Sequence, residues 1–551
     1  MSRAVFYEQP LLKFKRLLAT YAAFAPRGYA SFETAIPLWL RQKVFQRSRV
    51  RELLRQHDQG TGAMPPLEFC QHDHSHAASA FYPSPFDTAA IVTMDGVGEW
   101  TTTSVSWGQG KRIELLREIR FPHSLGLLYS AFTSYLGFKV NSGEYKVMGL
   151  APYGEPRQMD LLLDCLIDLK KDGSFRLNLE YFDYCTGLSM INARFEQLMG
   201  SPARKPDEPL EQRHMDLAAS IQAVTEEAVL RIAREAAAET GSRNLCLAGG
   251  VALNCVANGR LVRSGHFDRV WVQPASGDAG GALGAALVGW HRYSGAPRAV
   301  SSGDAMKGAF LGPGFSQIEI ERRLRELGAK FEVLSECEML ERSVDALESG
   351  CVVGWFQGRM EFGPRALGAR SILADPRSSA MQRQVNLKVK YRESFRPFAP
   401  SVLREDLKSW FELDCDSPYM LLVADVAGQR RCALRKEHAQ ASGFDRLKIV
   451  RSQIPAVTHV DYSARIQTVH RETNPLYYSL IERFKARTGC PVLLNTSFNV
   501  RGEPIVCSVE DAFRCFMGSG IDALAIGNSF LRKQDQDSRL ADPYDATLPL
   551  D

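Results

Sequence analysis

Between Asn244 and Trp290 the chain repeats one structural unit twice, and this repetition restricts the fold more than any other feature. Asn244-Leu245-Cys246-Leu247-Ala248 is a short apolar run closed by Gly249-Gly250, and a helical pattern follows from Val251 to Ser264. Val270-Trp271-Val272-Gln273 is a second such run. It leads into Ser276-Gly277-Asp278-Ala279-Gly280-Gly281 and an Ala/Gly-rich helix from Gly281 to Trp290. Strands that alternate with helices pair in parallel, because each helix carries the chain back across the sheet. The expected class is α/β. Upstream, Ala89 to Met94 reads as a buried strand ending at Asp95, with Thr101 to Trp107 as its hairpin partner. Helical spacing covers 124–136 and roughly 210–240.

A chain of 551 residues exceeds what one core supports, so two large domains are expected. Residues 292–312 concentrate Ser, Gly, Ala and Pro, which places the connection there: a first domain over 1–296, a linker over 297–312 and a second domain over 313–551. In the second domain, helices are expected at 317–327 and 338–349. Strands are expected from Cys351 to Phe356 and near 398–404 and 491–494. Residues 1–60 read as mostly helical, with Arg41, Lys43, Arg47, Arg49, Arg51 and Arg55 close together. That run is either a solvated helix face or an interaction patch.

The 67 basic and 63 acidic side chains leave a formal charge of +4, too small at this length to indicate an extended nucleic-acid surface. No run reaches about 18 apolar residues, so no membrane span is expected. Met1 to Glu8 lacks a signal-peptide core. The 12 cysteines are scattered without a CxxC pair, which disfavours zinc ribbons and fits reduced thiols in the cytoplasm. Cys246 and Cys255, on either side of the glycine pair, read as small buried hydrophobes. Monomer and homodimer both stay open.

His72 and His76 in Gln71-His72-Asp73-His74-Ser75-His76 are four apart and share one face of a helix. Two imidazoles at that spacing can hold one metal ion. Asp95 and Asp278 each follow an apolar run and open a glycine turn, which adds two carboxylates. Such mixed ligands suit iron(II), manganese or zinc; the competing reading is an exposed or capping histidine cluster. Gly249-Gly250 before Asn254, and Gly277 before Gly280-Gly281, are strand-to-helix turns whose N–H groups can bind phosphate. Neither turn is a Walker loop or a GxGxxG fingerprint, and tight turns without a ligand remain the alternative. Glu144 and Lys146 in Asn141-Ser142-Gly143-Glu144-Tyr145-Lys146 are candidates for ribose or phosphate, or form a surface salt bridge.

Three cationic clusters lie further on: Gly358 to Ser371, with Arg365; Lys388 to Pro400, with Lys390 and Arg396; and Leu494 to Gly502, with Asn499 and Arg501. Arginines interleaved with Phe, Gly and Pro suit a fixed pocket for a compact anion, phosphate above all. RNA is the competing ligand, because arginine with aromatics also suits bases.

The segments HDHSHAASAFYPSPF, TMDGVGEWTTT, NSGEYKVMGLAPYG, CLAGGVALNCVANG, SGDAGGALGAAL, GRMEFGPRALGARSIL, KVKYRESFRPFAPSVL, VTHVDYSARIQTV and LLNTSFNVRGEPIV run in order along the chain. Together they resemble the NodU/CmcH-type O-carbamoyltransferases of nodulation-factor and antibiotic biosynthesis. The resemblance implies an actin-like ATPase (ASKHA-type) domain, similar to the universal tRNA threonylcarbamoyl-transfer enzymes, followed by a YrdC-like α/β domain. It implies an ATP-dependent enzyme that makes carbamoyl-adenylate from carbamoyl phosphate and ATP and passes the carbamoyl group to a hydroxyl of a sugar or natural product. By that resemblance His72, His76, Asp95 and Asp278 are metal ligands and catalytic residues, and the metal is Fe(II), with Mg accompanying ATP. Glu144, Lys146, Gly249, Gly250, Asn254 and Gly277 fall where the nucleotide lies. Arg365, Lys390, Arg396, Asn499 and Arg501, with Arg465 added, form the carbamoyl-phosphate pocket.

Members of that family begin with a further segment, a first strand followed by a Gly-Ile-Ser-type turn and a His-Asp-Ser-type motif. This sequence begins past it, at Val5-Phe6-Tyr7-Glu8. The expectation is an actin-like domain without its first hairpin, and a product that is poorly active or unstable alone. The rival readings are a tRNA threonylcarbamoyl-adenosine-type enzyme and an inactive nucleotide-binding remnant.

Overall fold

The apolar run that ends at Asp95 becomes the middle strand of a mixed sheet. The computed structural model describes residues 3–56, 64–300, 303–434 and 441–540. β1 (Ala4–Phe6) pairs in parallel with β2 (Leu67–Phe69). β3 (Thr88–Met94), β4 (Thr101–Gln109) and β5 (Arg112–Arg120) form an antiparallel meander. After a small hairpin of β6 (Ile167–Leu169) and β7 (Phe175–Leu177), β8 (Asn244–Ala248) and β9 (Arg269–Val272) join β3 in parallel, giving the order β5-β4-β3-β8-β9. The parallel pairing expected of the repeated unit is therefore present at β3-β8-β9. β5 had no sequence signal, because its charged and apolar residues fall on a half-exposed edge.

The helix Val251–Ser264 expected after the glycine pair starts later. A 3₁₀ turn covers Gly250–Leu253, and the α-helix is Cys255–Arg263, capped by the Asn254 side chain on the Ala257 N–H. The second helix starts earlier than expected and runs Asp278–Tyr293, so Asp278 lies in its first turn. This helix packs along the histidine helix, His72–Phe81. Its small residues allow that closeness: a Cβ on Gly284 would stand 1.8 Å from the Ser75 carbonyl oxygen. Cys246 and Cys255 are buried, and none of the 12 cysteines is disulfide-bonded.

Among the described residues the later sheet has nine strands: β10 (Glu332–Val333), β11 (Val353–Phe356), β12 (Arg370–Ala374), β13 (Ala399–Leu403), β14 (Leu422–Asp425), β15 (Ser463–Val469), β16 (Val492–Ser497), β17 (Ala523–Ile526) and β18 (Ser529–Arg532). Their order is β10-β18-β17-β11-β12-β16-β13-β15-β14. The expected helices are present as Gln317–Glu326 and Glu336–Glu348, each started by a Ser/Glu capping box at Ser316 and Ser335.

The chain forms two compact units, Met1–Val147 with Pro156–Glu208 and Ser220–Ala305, and Met148–Glu155 with Pro209–Ala219 and Met306–Asp551. The change at Ala305 falls inside the stretch read as a linker. The two short early segments that group with the later unit had no compositional signal, since long-range bonds place them. Arg446 Nη1 donates to the Pro152 carbonyl at 2.8 Å, and the Tyr153 hydroxyl donates to the Phe395 carbonyl at 3.0 Å. Among the described residues no helix is long and apolar enough to cross a membrane.

Gly249 closes β8 with φ +88°, and a Cβ there would meet the Met94 carbonyl oxygen at 2.2 Å. Both the conformation and the space demand glycine. Gly249→Ala is expected to destabilise the chain by about 3 kcal/mol, read as a lowered urea midpoint.

Candidate functional site

The histidine helix is started by a distant carboxylate. Gln71 makes no side-chain cap. Instead the buried Glu99 accepts from the His72 N–H at 3.0 Å through Oε2 and from the Gln9 N–H at 2.6 Å through Oε1. A negative group at a helix N-terminus is favoured by the helix dipole. Ser75 Oγ donates to the Gln71 and Tyr7 carbonyls, both at 2.9 Å, which ties the first turn to the segment after β1.

From this fixed turn the two imidazoles face one another, with Nε2 atoms 3.1 Å apart. Asp95, just past β3, places Oδ2 2.9 Å from His72 Nε2 and 3.6 Å from His76 Nε2. Its other oxygen accepts the Gly250 N–H at 3.0 Å. One carboxylate therefore joins the histidine pair to the glycine turn. Asp278 Oδ1 stands 3.7 Å from each imidazole Nε2. All four ligand atoms lie within 4.8 Å of one another. His72 and His76 are buried, whereas the Asp278 side chain is 61% exposed, so the cluster opens to solvent on that side.

Charge is strongly coupled here. Burial alone would lower the His76 pKa, but the Asp278 and Asp95 carboxylates overcome it and raise it to about 9. Burial works against the Asp95 anion, yet His72 and His76 hold its pKa well below the usual range. His76 likewise lowers Asp278. The cluster therefore demands positive charge between its carboxylates. Two imidazole nitrogens and two carboxylate oxygens fit a divalent first-row metal. The outward Nδ1 atoms of both rings are buried without a hydrogen-bond partner among the described residues.

The nucleotide candidates divide. Gly249 and Gly250 lie beside this cluster, and the Gly249 N–H donates to the Ser276 carbonyl at 2.8 Å, joining the two turns. The Gly250 N–H, expected to be available for phosphate, is taken by Asp95. Gly277 precedes the Asp278 helix and has open space around its Cα. Asn254 makes a reciprocal amide pair with Gln222, at 3.0 and 3.1 Å. Glu144 accepts from Ser130 Oγ at 2.8 Å and the Asn141 N–H at 2.9 Å. Lys146 is fully buried, with its ammonium 5.5 Å from the Phe138 ring centre.

In the later unit, sheet register brings the cationic clusters together. Ser371 on β12 pairs with Ser497 on β16, and the Phe498 N–H donates to the Arg370 carbonyl at 2.9 Å. This places the loop bearing Arg365 beside the loop bearing Asn499 and Arg501. Gln467 on β15 donates to the Leu367 carbonyl at 2.8 Å, and Arg465 is two residues away on the same strand face. Lys390 is buried, and its Nζ reaches the Ser497 carbonyl at 2.6 Å, the Asn499 carbonyl at 2.9 Å and Asn499 Oδ1 at 2.6 Å. Burial first, then Arg392 and Arg396, hold its pKa well below the usual lysine range. Lys390 thus shapes the 497–499 loop. Arg396 Nη1 stands 3.7 Å from Glu393. Arg501 keeps Nε and Nη2 buried without a hydrogen-bond partner among the described residues, as suits a guanidinium that awaits an anion.

Sequence reasoning missed Glu99, Glu361 and Arg370. Glu361 accepts the Leu367, Ala369 and Arg370 N–H groups and so ties the loop that presents Arg365. Arg370 is wholly buried over the Phe356 ring and donates to the Gln357, Ala369, Pro313 and Gly358 carbonyls. For Glu99 the one available signal was an acidic residue one turn past Asp95.

Residues 1–287 match the Carbamoyltransferase N-terminus family and residues 344–533 the Carbamoyltransferase C-terminus family. The chain belongs to the carbamoyltransferase family and is an enzyme of that family. It is 59% identical over 541 residues to the uncharacterized Synechocystis protein sll1178, covering 98% of this chain and 88% of that one. To the nodulation protein NolNO of Sinorhizobium fredii it is 39% identical, covering 90% of this chain and 68% of that one. To the 3'-hydroxymethylcephem-O-carbamoyltransferase of Amycolatopsis lactamdurans it is 29% identical, covering 84% and 80% respectively. Superposition on T.kodakarensis HypF gives a TM-score of 0.24 at 17% identity over 46% of this chain and 39% of that one, too low to carry a fold assignment.

His76→Ala is expected to weaken Mn(II) binding by more than about a hundredfold, read by isothermal titration against the unsubstituted chain.

Proposed function

We propose that this carbamoyltransferase is ATP-dependent and transfers the carbamoyl group to a hydroxyl, by way of carbamoyl-adenylate formed from carbamoyl phosphate and ATP. The observation that carries this reading is the Asp95 carboxylate, which reaches His72 with one oxygen and the Gly250 N–H with the other. A carboxylate so placed ties the cation site to the Gly249-Gly250 turn, next to the open Gly277 turn where the resemblance puts the nucleotide. We assign the domains as actin-like and YrdC-like in keeping with that chemistry.

Each step then has residues to carry it. Carbamoyl phosphate is a small dianion, and Arg501, Arg365, Arg396 and Arg465 are the guanidinium groups that bind and orient it. They also offset the repulsion between it and ATP. His72, His76, Asp95 and Asp278 would hold the divalent metal, Fe(II) by family resemblance, which when bound supplies a Lewis acid to polarise the carbamoyl carbonyl. Asp278 is the exposed member of the cluster, so an entering hydroxyl meets its carboxylate first. The unpaired cysteines favour a reducing compartment, the cytoplasm.

The acceptor is a hydroxyl-bearing sugar or natural product, in line with the cephem hydroxymethyl group in the name of one relative. The test is labelled carbamoyl phosphate with ATP and a panel of such acceptors. Label moving to an acceptor without tRNA or threonine supports the reading. Transfer that requires threonine and tRNA favours the threonylcarbamoyl alternative, and binding of ATP without pyrophosphate release marks a binding remnant. Arg501→Ala is expected to lower kcat/KM for carbamoyl phosphate about 100-fold, with ATP affinity retained.

A further inference from the structure

Residues 10–56 turn their apolar side chains outward. They fold as the helix Pro10–Phe24, the helix Tyr29–Leu38, a π-helical turn Trp39–Lys43 and the helix Gln46–Gln56. Polar groups fix the inner side of this segment to the first unit. Arg16 is buried, donates to the Gly98 carbonyl at 3.2 Å and lies 4.8 Å from the Phe121 ring centre. Ser31 Oγ donates to the Thr186 carbonyl, and at Gly28, with φ +83°, a Cβ would stand 2.4 Å from Thr186 Cβ. Tyr21 meets Phe32 edge-on at 5.2 Å and Phe14 stacks on Trp39 at 6.0 Å, which holds the helices to one another.

The buried residues of this segment are Pro10, Arg16, Thr20 and Ser31, whereas Leu11 is 66%, Tyr29 71% and Phe45 61% exposed, and Leu38, Leu40 and Leu53 are exposed with them. A helix that packs on a core buries its apolar face, and here that order is reversed. Large apolar side chains gathered on one exposed segment mark a surface that meets something else. Charge identifies what it meets. Ten basic and two acidic side chains give residues 10–56 a formal charge of +8, in a chain whose total is +4, so the rest of the protein is net acidic. Arg41, Lys43, Arg49 and Arg51 are exposed and form no ion pair among the described residues, and Arg55 reaches Glu52 at 3.7 Å. A second copy docking here about a two-fold axis would set the same positive surface against itself, which like charges oppose. A surface both cationic and apolar matches the boundary of an anionic bilayer, where basic groups meet headgroups and Leu, Phe and Tyr enter the acyl edge.

We propose that residues 10–56 seat this enzyme on the surface of an anionic bilayer, with the outward apolar side chains at the acyl boundary and the arginine run on the headgroups. The helices lie on the membrane and do not span it: the longest of them, Pro10–Phe24, has 15 residues and carries Lys13, Lys15 and Arg16. Of the two readings the sequence leaves for the arginine run, this selects the interaction patch. It does not depend on the metal, the nucleotide or the acceptor.

The test is co-sedimentation of the full chain with vesicles of phosphatidylcholine alone or of phosphatidylcholine with about one third phosphatidylglycerol. The chain is expected to bind the phosphatidylglycerol vesicles at least about 10-fold more tightly, and to keep part of that binding in high salt. Arg41→Glu, Arg49→Glu and Arg51→Glu together are expected to weaken it more than about 100-fold. Tyr29→Ser with Phe45→Ser is expected to weaken it roughly 10-fold and to remove the salt-resistant part. All five positions are exposed, so both variants are expected to keep the parent's melting temperature. A parent chain that binds neither vesicle overturns the proposal, and so does equal binding to both. Binding that salt abolishes and that Tyr29→Ser with Phe45→Ser leaves unchanged overturns it as well. A chain that ignores vesicles but forms a dimer by light scattering, lost in Tyr29→Ser with Phe45→Ser, replaces the bilayer with a second copy. The parent's choice between vesicles decides the matter even where a variant is destabilised, and no readout requires turnover.

Discussion

The bond between Asp95 and its two partners organises the first unit. β3 delivers the carboxylate to the end of the sheet. There one oxygen faces the histidine pair, and the other takes the N–H of Gly250 in the turn after the neighbouring parallel strand. Without that bond the glycine turn has an unpaired donor and the histidines lose the nearest counter-charge to their buried rings. The bond also sets the later course of the chain: with Gly250 held by a side chain, the following residues form a 3₁₀ turn, and the α-helix begins at Cys255 under Asn254.

The second unit solves a related problem with the opposite sign. Cationic side chains are crowded together there, yet must not collapse onto the nearest carboxylate. The chain spends some of its polar groups on scaffolding to achieve this. Glu361 gathers three N–H groups, Arg370 ties four carbonyls, and Lys390 is surrounded by the oxygens of Ser497 and Asn499. Arg501 is left with buried donors uncommitted. Residues that read alike in the sequence thus differ in how far their polar atoms are committed, and the hydrogen bonds they make separate them.

What the sequence disclosed follows from how local each signal is. The spacing of His72 and His76 encodes their convergence within one helix. Asp95 is legible because it follows directly on a strand, and Asp278 because it opens the helix after one, the places where α/β sheets present side chains at their edge. Sequence reading could not recover contacts that close across many residues, such as Glu99 on the His72 N–H or Arg446 on the Pro152 carbonyl. Nor could it see that the Gly250 N–H was already engaged. The expected helix start at Val251 failed for that reason, since glycine and helix propensity carry no record of a carboxylate arriving from β3.

The seam between the histidine helix and the Asp278 helix has an energetic consequence. At Gly284 one backbone rests on the other at the Ser75 carbonyl, with no side chain between them. Contacts of this kind freeze no rotamers when they form and have little room to slide. The span from the imidazoles to Asp278 is therefore set by the bare main chain before any ion arrives. An ion entering the cluster would meet groups already ordered, at little further cost in conformational entropy.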